Sequence, residues 1–302
     1  MLSYNEVCNE KFIQKMKDRY SFYKENETHV WIALSQYCRP NGSKYGCYIT
    51  DFFEEKNIDF SQLVDNAKYT IDGLWKETDN LAKEYVGWVC KTNDIQYLIT
   101  KKQNDANAKT QDSKLEVENK VKAHIANHLK GWFGEWFFCF ILNNYGRNLE
   151  LNEKLDSSVI DKYTFSNVTP MFDANEKGDI VPGVDMGTDL VGVASHKDKT
   201  TSCVFQCKWW NPKSELINDQ KKTYDLASKL NSSGTNDENI ENIKDVKNMF
   251  ICWTRSSKDV SISLKTYPMV ERLGFIDYKV LKRVSTNREF WDSMVDKLNK
   301  FK

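Results

Sequence analysis

One segment, Gly183–Trp210, constrains the fold more than any other part of the chain because it has the pattern of a β-hairpin. Two apolar runs, DLVGV and SCVFQ, flank a polar turn, KDKT, at residues 197–200. A turn of this kind between two apolar runs is typical of antiparallel strands. The sequence places the centre of the turn between Asp198 and Lys199.

The register of this hairpin determines which side chains meet. With that turn centre, Asp189 is expected directly opposite Lys208, and opposed residues lie about 4.5–5.5 Å apart at Cβ. Gln206 precedes Lys208 by two residues, so it shares the same face of the sheet. The hairpin therefore predicts that a carboxylate, an amide and an ammonium group meet at one place. A slip of one residue would turn Gln206 and Lys208 away from Asp189.

These groups suit a hard divalent cation, which takes oxygen ligands and keeps several waters. Asp189 offers a carboxylate, Gln206 an amide oxygen and Cys207 its backbone carbonyl, and Mg²⁺, with Mn²⁺ as a substitute, is the expected ion. Such an ion polarises a phosphate and makes a bound water more acidic. Lys208 is expected to orient that water or to stabilise charge on the phosphate. Because Gln206 is neutral, we expect weak metal binding unless another acid contributes.

Glu135 is the expected additional acid and metal ligand. It lies within WFGEWFFCF, where an ionised carboxylate is costly to bury without a partner. A metal, or a water on the metal, would be such a partner; a salt bridge to a lysine at the helix edge is the alternative. Asp185 is a second candidate. It precedes Asp189 by four residues, about 13 Å on an extended strand, so it would need a bend at Gly187 to share the ion; the favoured alternative is that it caps or turns the chain where it enters the strand.

The chain divides at a polar stretch over residues 100–114, TKKQNDANAKTQDSK. We expect an N-terminal unit, residues 1–110, that is mixed α/β or mostly helical and serves in target recognition or dimerisation. Residues 5–20 and 60–91 have helical spacing, while HVWIALSQYC and YGCYIT could form strands. The second unit, residues 115–302, carries the hairpin.

The second unit has an α/β order of elements. Apolar residues recur at helical intervals over 115–144, and a loop-rich stretch is expected over 150–183. After the hairpin the pattern predicts an amphipathic helix over 214–230, a buried strand at 247–254 and a final helix at 287–298. This order of elements predicts a mixed sheet flanked by helices.

Composition favours an intracellular protein that is not secreted. The eight cysteines form no CxxC pair, and most lie in apolar stretches, as reduced core thiols do. The chain begins without a signal-peptide pattern, and its longest apolar run, Trp136–Leu142, is far too short to cross a membrane. The net charge is +0, so a nucleic-acid surface would have to be local. The lysine-rich window 196–222 is one such surface, and a solvated mixed-charge face is the alternative.

The motifs GTDLVGV and VFQCKWW resemble those of the PD-(D/E)XK nuclease superfamily, in particular its Mrr-like restriction-endonuclease branch. The upstream FGE at 133–135 is similar to the first core helix of that branch, and MFICWTRS to its following core strand. Thr188, rather than proline, precedes Asp189. The resemblance implies a restriction-endonuclease-like core. It also implies Asp189 and Gln206 as metal ligands, Lys208 as the catalytic lysine and Glu135 as the accessory acid.

By this resemblance the chain is expected to be a Mg²⁺-dependent endonuclease that hydrolyses phosphodiester bonds in DNA, duplex in preference to single-stranded, in restriction, defence or DNA processing. A homodimer and a separate helicase or methyltransferase partner remain open, and no membrane association is expected. The first alternative is a non-catalytic DNA-binding protein that keeps a nuclease-like fold. The second is a structural protein in which the hairpin is coincidental.

Other candidate groups are weaker. His124 and His128 stand four apart on the apolar helix, a spacing that can hold a metal, but the glutamate of an HExxH motif is absent, which favours a surface pair. His196, beside the turn, is expected to face solvent. Of Trp209 and Trp210, one is expected to pack in the core and the other to be available for stacking on a base.

Overall fold

Among the residues that the structure describes, helices dominate up to residue 145 and strands dominate between residues 149 and 276. The computed structural model describes residues 4–37, 47–92, 114–153, 160–174, 180–182, 189–213, 248–255 and 272–302. The helices are α1 (Tyr4–Leu34), α2 (Ile49–Glu55), α3 (Phe60–Asn66), α4 (Ile71–Thr92), α5 (Lys114–Tyr145), α6 (Tyr278–Val284) and α7 (Arg288–Leu298). A two-stranded ladder of β1 (Gln36–Tyr37) and β2 (Cys47–Tyr48) comes after α1.

The N-terminal helices agree with the helical spacing of residues 5–20 and 60–91, but the strand expected over HVWIALSQYC is wrong over most of its length. The chain is kinked at Asn26 and then remains helical through Leu34. Val30 and Trp31 on this last part are completely buried. Their β-type preference is overridden because the helix packs them into the core, where the Trp31 ring meets Trp132 edge-on.

The described strands after α5 are β3 (Leu149–Glu153), β4 (Ile160–Pro170), β5 (Phe172–Ala174), β6 (Ile180–Pro182), β7 (Leu190–His196), β8 (Lys199–Lys208), β9 (Asn248–Trp253) and β10 (Arg272–Ile276). Strands β5 and β6 form a separate pair. The other six form one mixed sheet in the order β10-β3-β4-β7-β8-β9, which closes into a barrel. Strands β8, β9 and β10 are parallel, and the remaining neighbours are antiparallel.

This mixed sheet with helices confirms the α/β class. The helix expected over 115–144, the strand at 247–254 and the helix at 287–298 are also confirmed as α5, β9 and α7. The loop-rich stretch expected over 150–183 is wrong, since it contains the long strand β4. The register of β4 shifts between Ser166 and Thr169, and Asn167 has a positive φ of 53°. This bulge interrupts the apolar–polar alternation by which a strand is recognised.

The hairpin of β7 and β8 is confirmed, but its expected register is wrong by two residues. Lys197 and Asp198 form the turn with φ values of 45° and 62°, so His196 pairs with Lys199. Two central residues with positive φ give a turn whose twist matches that of the strands. Asp189 is therefore not opposite Lys208. The shift is even, so the faces of both strands are those the sequence predicts.

The apolar face of α5 forms the centre of the hydrophobic core. Trp132, Phe133, Trp136, Phe137 and Phe140 all lie on this helix and are buried. One cluster joins them to buried residues of α1 and α4 on one side and of the sheet on the other. Residues from both sides of the polar stretch thus share a core, and the division of the chain near residue 110 stays a prediction.

Several sequence predictions lie outside the described residues. They include the polar stretch through residue 113, Asp185, the amphipathic helix over 214–230, and Lys221 and Lys222 of the basic window. None of the helices in the described ranges combines the length and apolar character that a membrane span needs.

Candidate functional site

Asp189 is fixed at the entrance to β7 by backbone hydrogen bonds to both neighbouring strands. Its N–H donates to the carbonyl of Phe205 on β8 at 2.9 Å, and its carbonyl accepts from the N–H of Met171, next to β4, at 3.1 Å. The sequence forms this hairpin because β7 and the second half of β8 are almost wholly buried. The position of the carboxylate is consequently set by the sheet rather than by a loose loop.

The structure brings Asp189, Gln206 and Lys208 together. One carboxylate oxygen, Oδ2 of Asp189, accepts hydrogen bonds from Nε2 of Gln206 and, at 2.5 Å, from the backbone N–H of Cys207. Lys208 Nζ lies 3.9 Å from the same oxygen. Two N–H donors and a nearby ammonium group around one oxygen suit an ionised carboxylate. Because Lys208 is half-buried while Asp189 and Gln206 are only 8% and 2% exposed, the ammonium group lies nearest to solvent.

Only one of the two polar atoms of the Gln206 amide has a hydrogen-bond partner among the described residues. Its nitrogen donates to Asp189, whereas its oxygen, Oε1, is buried and has no hydrogen-bond partner among the described residues. A buried acceptor without a partner costs about 1–3 kcal/mol, so this oxygen needs a water or a cation. Amide and carboxylate oxygens are ligands of Mg²⁺ and Mn²⁺. The donor set at Asp189 and Gln206 therefore fits a hard divalent ion, although the described residues contain no group of three His, Cys, Asp or Glu side chains that could hold a metal.

Glu135 lies on α5 near the same end of β8. Burial raises the pKa of the Cys207 thiol well above its ordinary value, with smaller contributions from Cys252 and from the negative charges of Asp189 and Glu135. Both carboxylates are therefore close enough to act electrostatically on Cys207. The neighbour of Glu135, Gly134, explains how α5 comes so near: a Cβ at position 134 would lie 2.8 Å from the Cβ of Trp209.

Trp209 and Trp210 differ in burial. Trp209 is buried against the rings of Phe133 and Phe137, and its Nε1 donates to Thr78 Oγ1 of α4 at 2.7 Å. This residue packs in the core. Trp210 is half-buried and carries the guanidinium of Arg255 4.8 Å from its ring centroid. Its role in stacking on a base stays a prediction.

Two groups near the site are not evident from the sequence alone. Thr254 Oγ1 accepts from the N–H of Trp210 at 2.9 Å and donates to its carbonyl, while Arg255 Nε donates to the carbonyl of Asn211 at 3.1 Å. They tie the end of β8 to the end of the parallel strand β9. Parallel strands end at a common edge of a sheet, where sites in α/β proteins commonly lie. The one sequence feature that points to Arg255 is its position directly after the buried strand MFICWT, at the edge of the sheet where β8 also ends.

His196 differs from its sequence expectation of facing solvent. It is only 7% exposed, its ring stacks on Tyr163 with centroids 4.6 Å apart, and its Nε2 lies 3.6 Å from Asp161 Oδ2. The residue is held because β7 places it against β4, its neighbour in the sheet. His196 stands at the turn, at the other end of β7 from Asp189.

Geometry thus unites Asp189, Gln206 and Lys208 and brings Glu135 within electrostatic range of Cys207, while Asp185 lies outside the described residues. The chemical roles of these residues stay predictions. No protein-family model, curated protein or solved structure matches the chain.

Proposed function

We propose that the protein is a divalent-metal-dependent deoxyribonuclease with a restriction-endonuclease-like core and an active site at Asp189, Gln206 and Lys208. One observation carries the proposal. A carboxylate, a buried amide oxygen without a partner among the described residues, and an ammonium group meet at the start of β7 and the end of β8. The sequence resemblance to the Mrr-like branch supports DNA, in particular duplex DNA, as the substrate.

The α/β class of the fold and the packing of α5 beside the hairpin support this proposal. Helix α5 packs against β8, which lies between the antiparallel strand β7 and the parallel strand β9. The motif FGE lies on α5, the motifs GTDLVGV and VFQCKWW include the first part of β7 and the end of β8, and MFICWTRS includes most of β9.

The metal ligands would be Asp189, Oε1 of Gln206, the backbone carbonyl of Cys207 and, directly or through water, Glu135. Mg²⁺ or Mn²⁺, when bound, would polarise the scissile phosphate and make a coordinated water more acidic. The neutral amide gives this set one negative charge fewer than a second carboxylate would. We therefore expect weak metal binding, with Glu135 important for it.

Lys208 would act on the phosphate and on the attacking water. Its ammonium group stands 3.9 Å from Asp189 Oδ2, and its side chain is more exposed than that of Asp189. From there it can hold the proton-bearing water in line or stabilise the negative charge that develops on the phosphate. Asp189 keeps the ammonium group in this position because the two charges attract each other in a mostly buried setting.

The experiment is cleavage of supercoiled plasmid by the purified full chain in Mg²⁺, in Mn²⁺ and in EDTA. Asp189→Asn and Lys208→Ala remove the proposed groups, and Lys76→Ala, which changes an exposed lysine of α4 outside the lysine-rich window, is the control. We expect metal-dependent nicking or linearisation by the wild type and the control. Activity in the two site variants should fall by about 10²-fold or more, with unchanged circular dichroism.

Cleavage that survives both Asp189→Asn and Lys208→Ala would overturn the proposal. Absence of cleavage on plasmid, linear, methylated and single-stranded DNA would also count against it. If the wild type then still bound DNA, the alternative of a non-catalytic DNA-binding protein would replace it.

A further inference from the structure

Helix α5 carries two histidines, His124 and His128, one turn apart on its exposed side. Their Nε2 atoms lie 3.1 Å apart, and their rings meet edge to face with centroids 4.5 Å apart. Residues four apart on a helix are neighbours on its surface. In this pair the two ring nitrogens lie within hydrogen-bond distance of each other.

This separation matches a chelate. Zn²⁺ binds imidazole nitrogen at about 2.0–2.1 Å, and two such bonds at the tetrahedral angle place their nitrogens roughly 3.3–3.4 Å apart, close to the separation in this pair. Imidazole nitrogen is a preferred ligand of Zn²⁺, Cu²⁺ and Ni²⁺, whereas Mg²⁺ prefers oxygen. The pair therefore selects a different class of metal from the one proposed at Asp189.

We propose that His124 and His128 form a chelating site for a transition-metal ion of the Zn²⁺ class. Two imidazoles supply two ligands, and water or an anion completes the coordination at the exposed surface. In the metal-free protein the same two nitrogens share a hydrogen bond, which the ion replaces. This site does not depend on the proposed nuclease function.

The pair is separate from the candidate active site. His128 and Glu135 are seven residues apart on the same stripe of α5, which corresponds to about 10 Å along the helix axis. Two metals that act jointly in catalysis stand only about 3.5–4 Å apart. An ion at the histidines would instead join two turns of α5 and stabilise the first half of this helix, because it binds the folded helix only.

The test is Zn²⁺ binding to chelator-treated, desalted full-length protein, measured by calorimetry and by competition with a chromophoric chelator. His124→Gln and His128→Gln remove one ligand each. His29→Gln, which changes a lone exposed histidine of α1, is the matched control. We expect the wild type to bind one zinc ion. The affinity of the protein for zinc should fall roughly tenfold or more in each site variant and should be unchanged in the control.

A second readout is the melting temperature. Zn²⁺ should raise it in the wild type and in His29→Gln, and should fail to raise it by the same amount in His124→Gln and His128→Gln. The two site variants should melt like the wild type in the absence of zinc, since both residues are exposed. Zinc affinity that is equal in all four proteins, or absent in the wild type, would overturn the proposal.

Discussion

Gly134 of α5 lies against Trp209 at the end of β8, with no room for a methyl group between them: a Cβ on Gly134 would stand 2.8 Å from the Cβ of Trp209. Gly131, one turn earlier, has nothing within 4 Å of the corresponding position. Gly134 therefore permits close packing of α5 on the end of β8, the strand that carries Lys208. Gly131 makes no such contact and has room for a side chain.

Replacement of each glycine by alanine should have opposite effects on stability. Gly131→Ala should raise the free energy of unfolding by about 0.5–1 kcal/mol, because alanine favours the helix. Gly134→Ala should lower it by about 1–3 kcal/mol, because α5 and β8 must separate. Urea unfolding followed by circular dichroism measures both. Equal effects of the two substitutions would contradict the close contact with Trp209.

Gln206→Glu should make stability depend more strongly on Mg²⁺. Without the ion we expect a lower melting temperature, by about 2–4 °C for each kcal/mol lost, because Asp189 loses an N–H donor and gains a carboxylate neighbour. With Mg²⁺ we expect a larger increase than in the wild type, since the ion gains a charged ligand. Differential scanning fluorimetry in Mg²⁺ and in EDTA measures this, with the exposed Gln62→Glu as control. An identical Mg²⁺ response in the wild type and Gln206→Glu would argue against metal at this position.

Arg19 of α1 should support the strand next to Asp189. Its guanidinium donates to Thr169 Oγ1 at 2.9 Å, to the carbonyl of Pro170 at 2.9 Å and to that of Phe172 at 2.6 Å. Met171, which lies between Pro170 and Phe172, donates its backbone N–H to the carbonyl of Asp189. Arg19→Met should lower the free energy of unfolding by about 1–3 kcal/mol and reduce the proposed cleavage activity. Urea unfolding and plasmid cleavage test this against Lys17→Met, an exposed position on the same helix, and equal stability of the two variants would refute it.

Cys139 should make the protein less stable at alkaline pH. Burial raises the pKa of this thiol from 9.0 to about 12. Above pH 9 the unfolded chain loses the proton while the folded chain keeps it, so the stabilisation present below pH 9 is lost as the pH rises towards 12. The expected loss is up to about 1.4 kcal/mol per pH unit. Urea unfolding at several pH values should show a shallower decline in Cys139→Ala than in the half-buried control Cys90→Ala. Equal declines of the free energy of unfolding in the two variants would contradict the role of Cys139.

The candidate site could be predicted from the sequence because it depends on strand faces rather than on distances. The alternation along DLVGV and SCVFQ determines which residues point to one side of the sheet. The expected turn was displaced from the true one, yet the error shifted the register by two residues and left Asp189, Gln206 and Lys208 on the same face. An error of one residue would have separated them.

Features that depend on distant contacts could not be predicted in this way. The hydrogen bonds of Arg19 to β4 join residues about 150 positions apart, and no local pattern indicates them. Strand β4 itself was hidden because its bulge at Asn167 interrupts the alternation. His196 has the local signature of an exposed turn residue and is buried only because β7 places it against Tyr163 of β4.

The pairing of β3 with β10 has a consequence for the order of folding. Asn152 pairs with Phe275, so the sheet cannot close until the ribosome has synthesised the chain through residue 275. Contacts between such distant residues form slowly, because a long loop must be ordered first. The hairpin that carries Asp189 and Lys208 is local and can form early, whereas its parallel neighbour β9 and the closing strand come later. A nascent chain released too soon would have the hairpin with Asp189 and Lys208 but not the neighbouring strand that covers its edge.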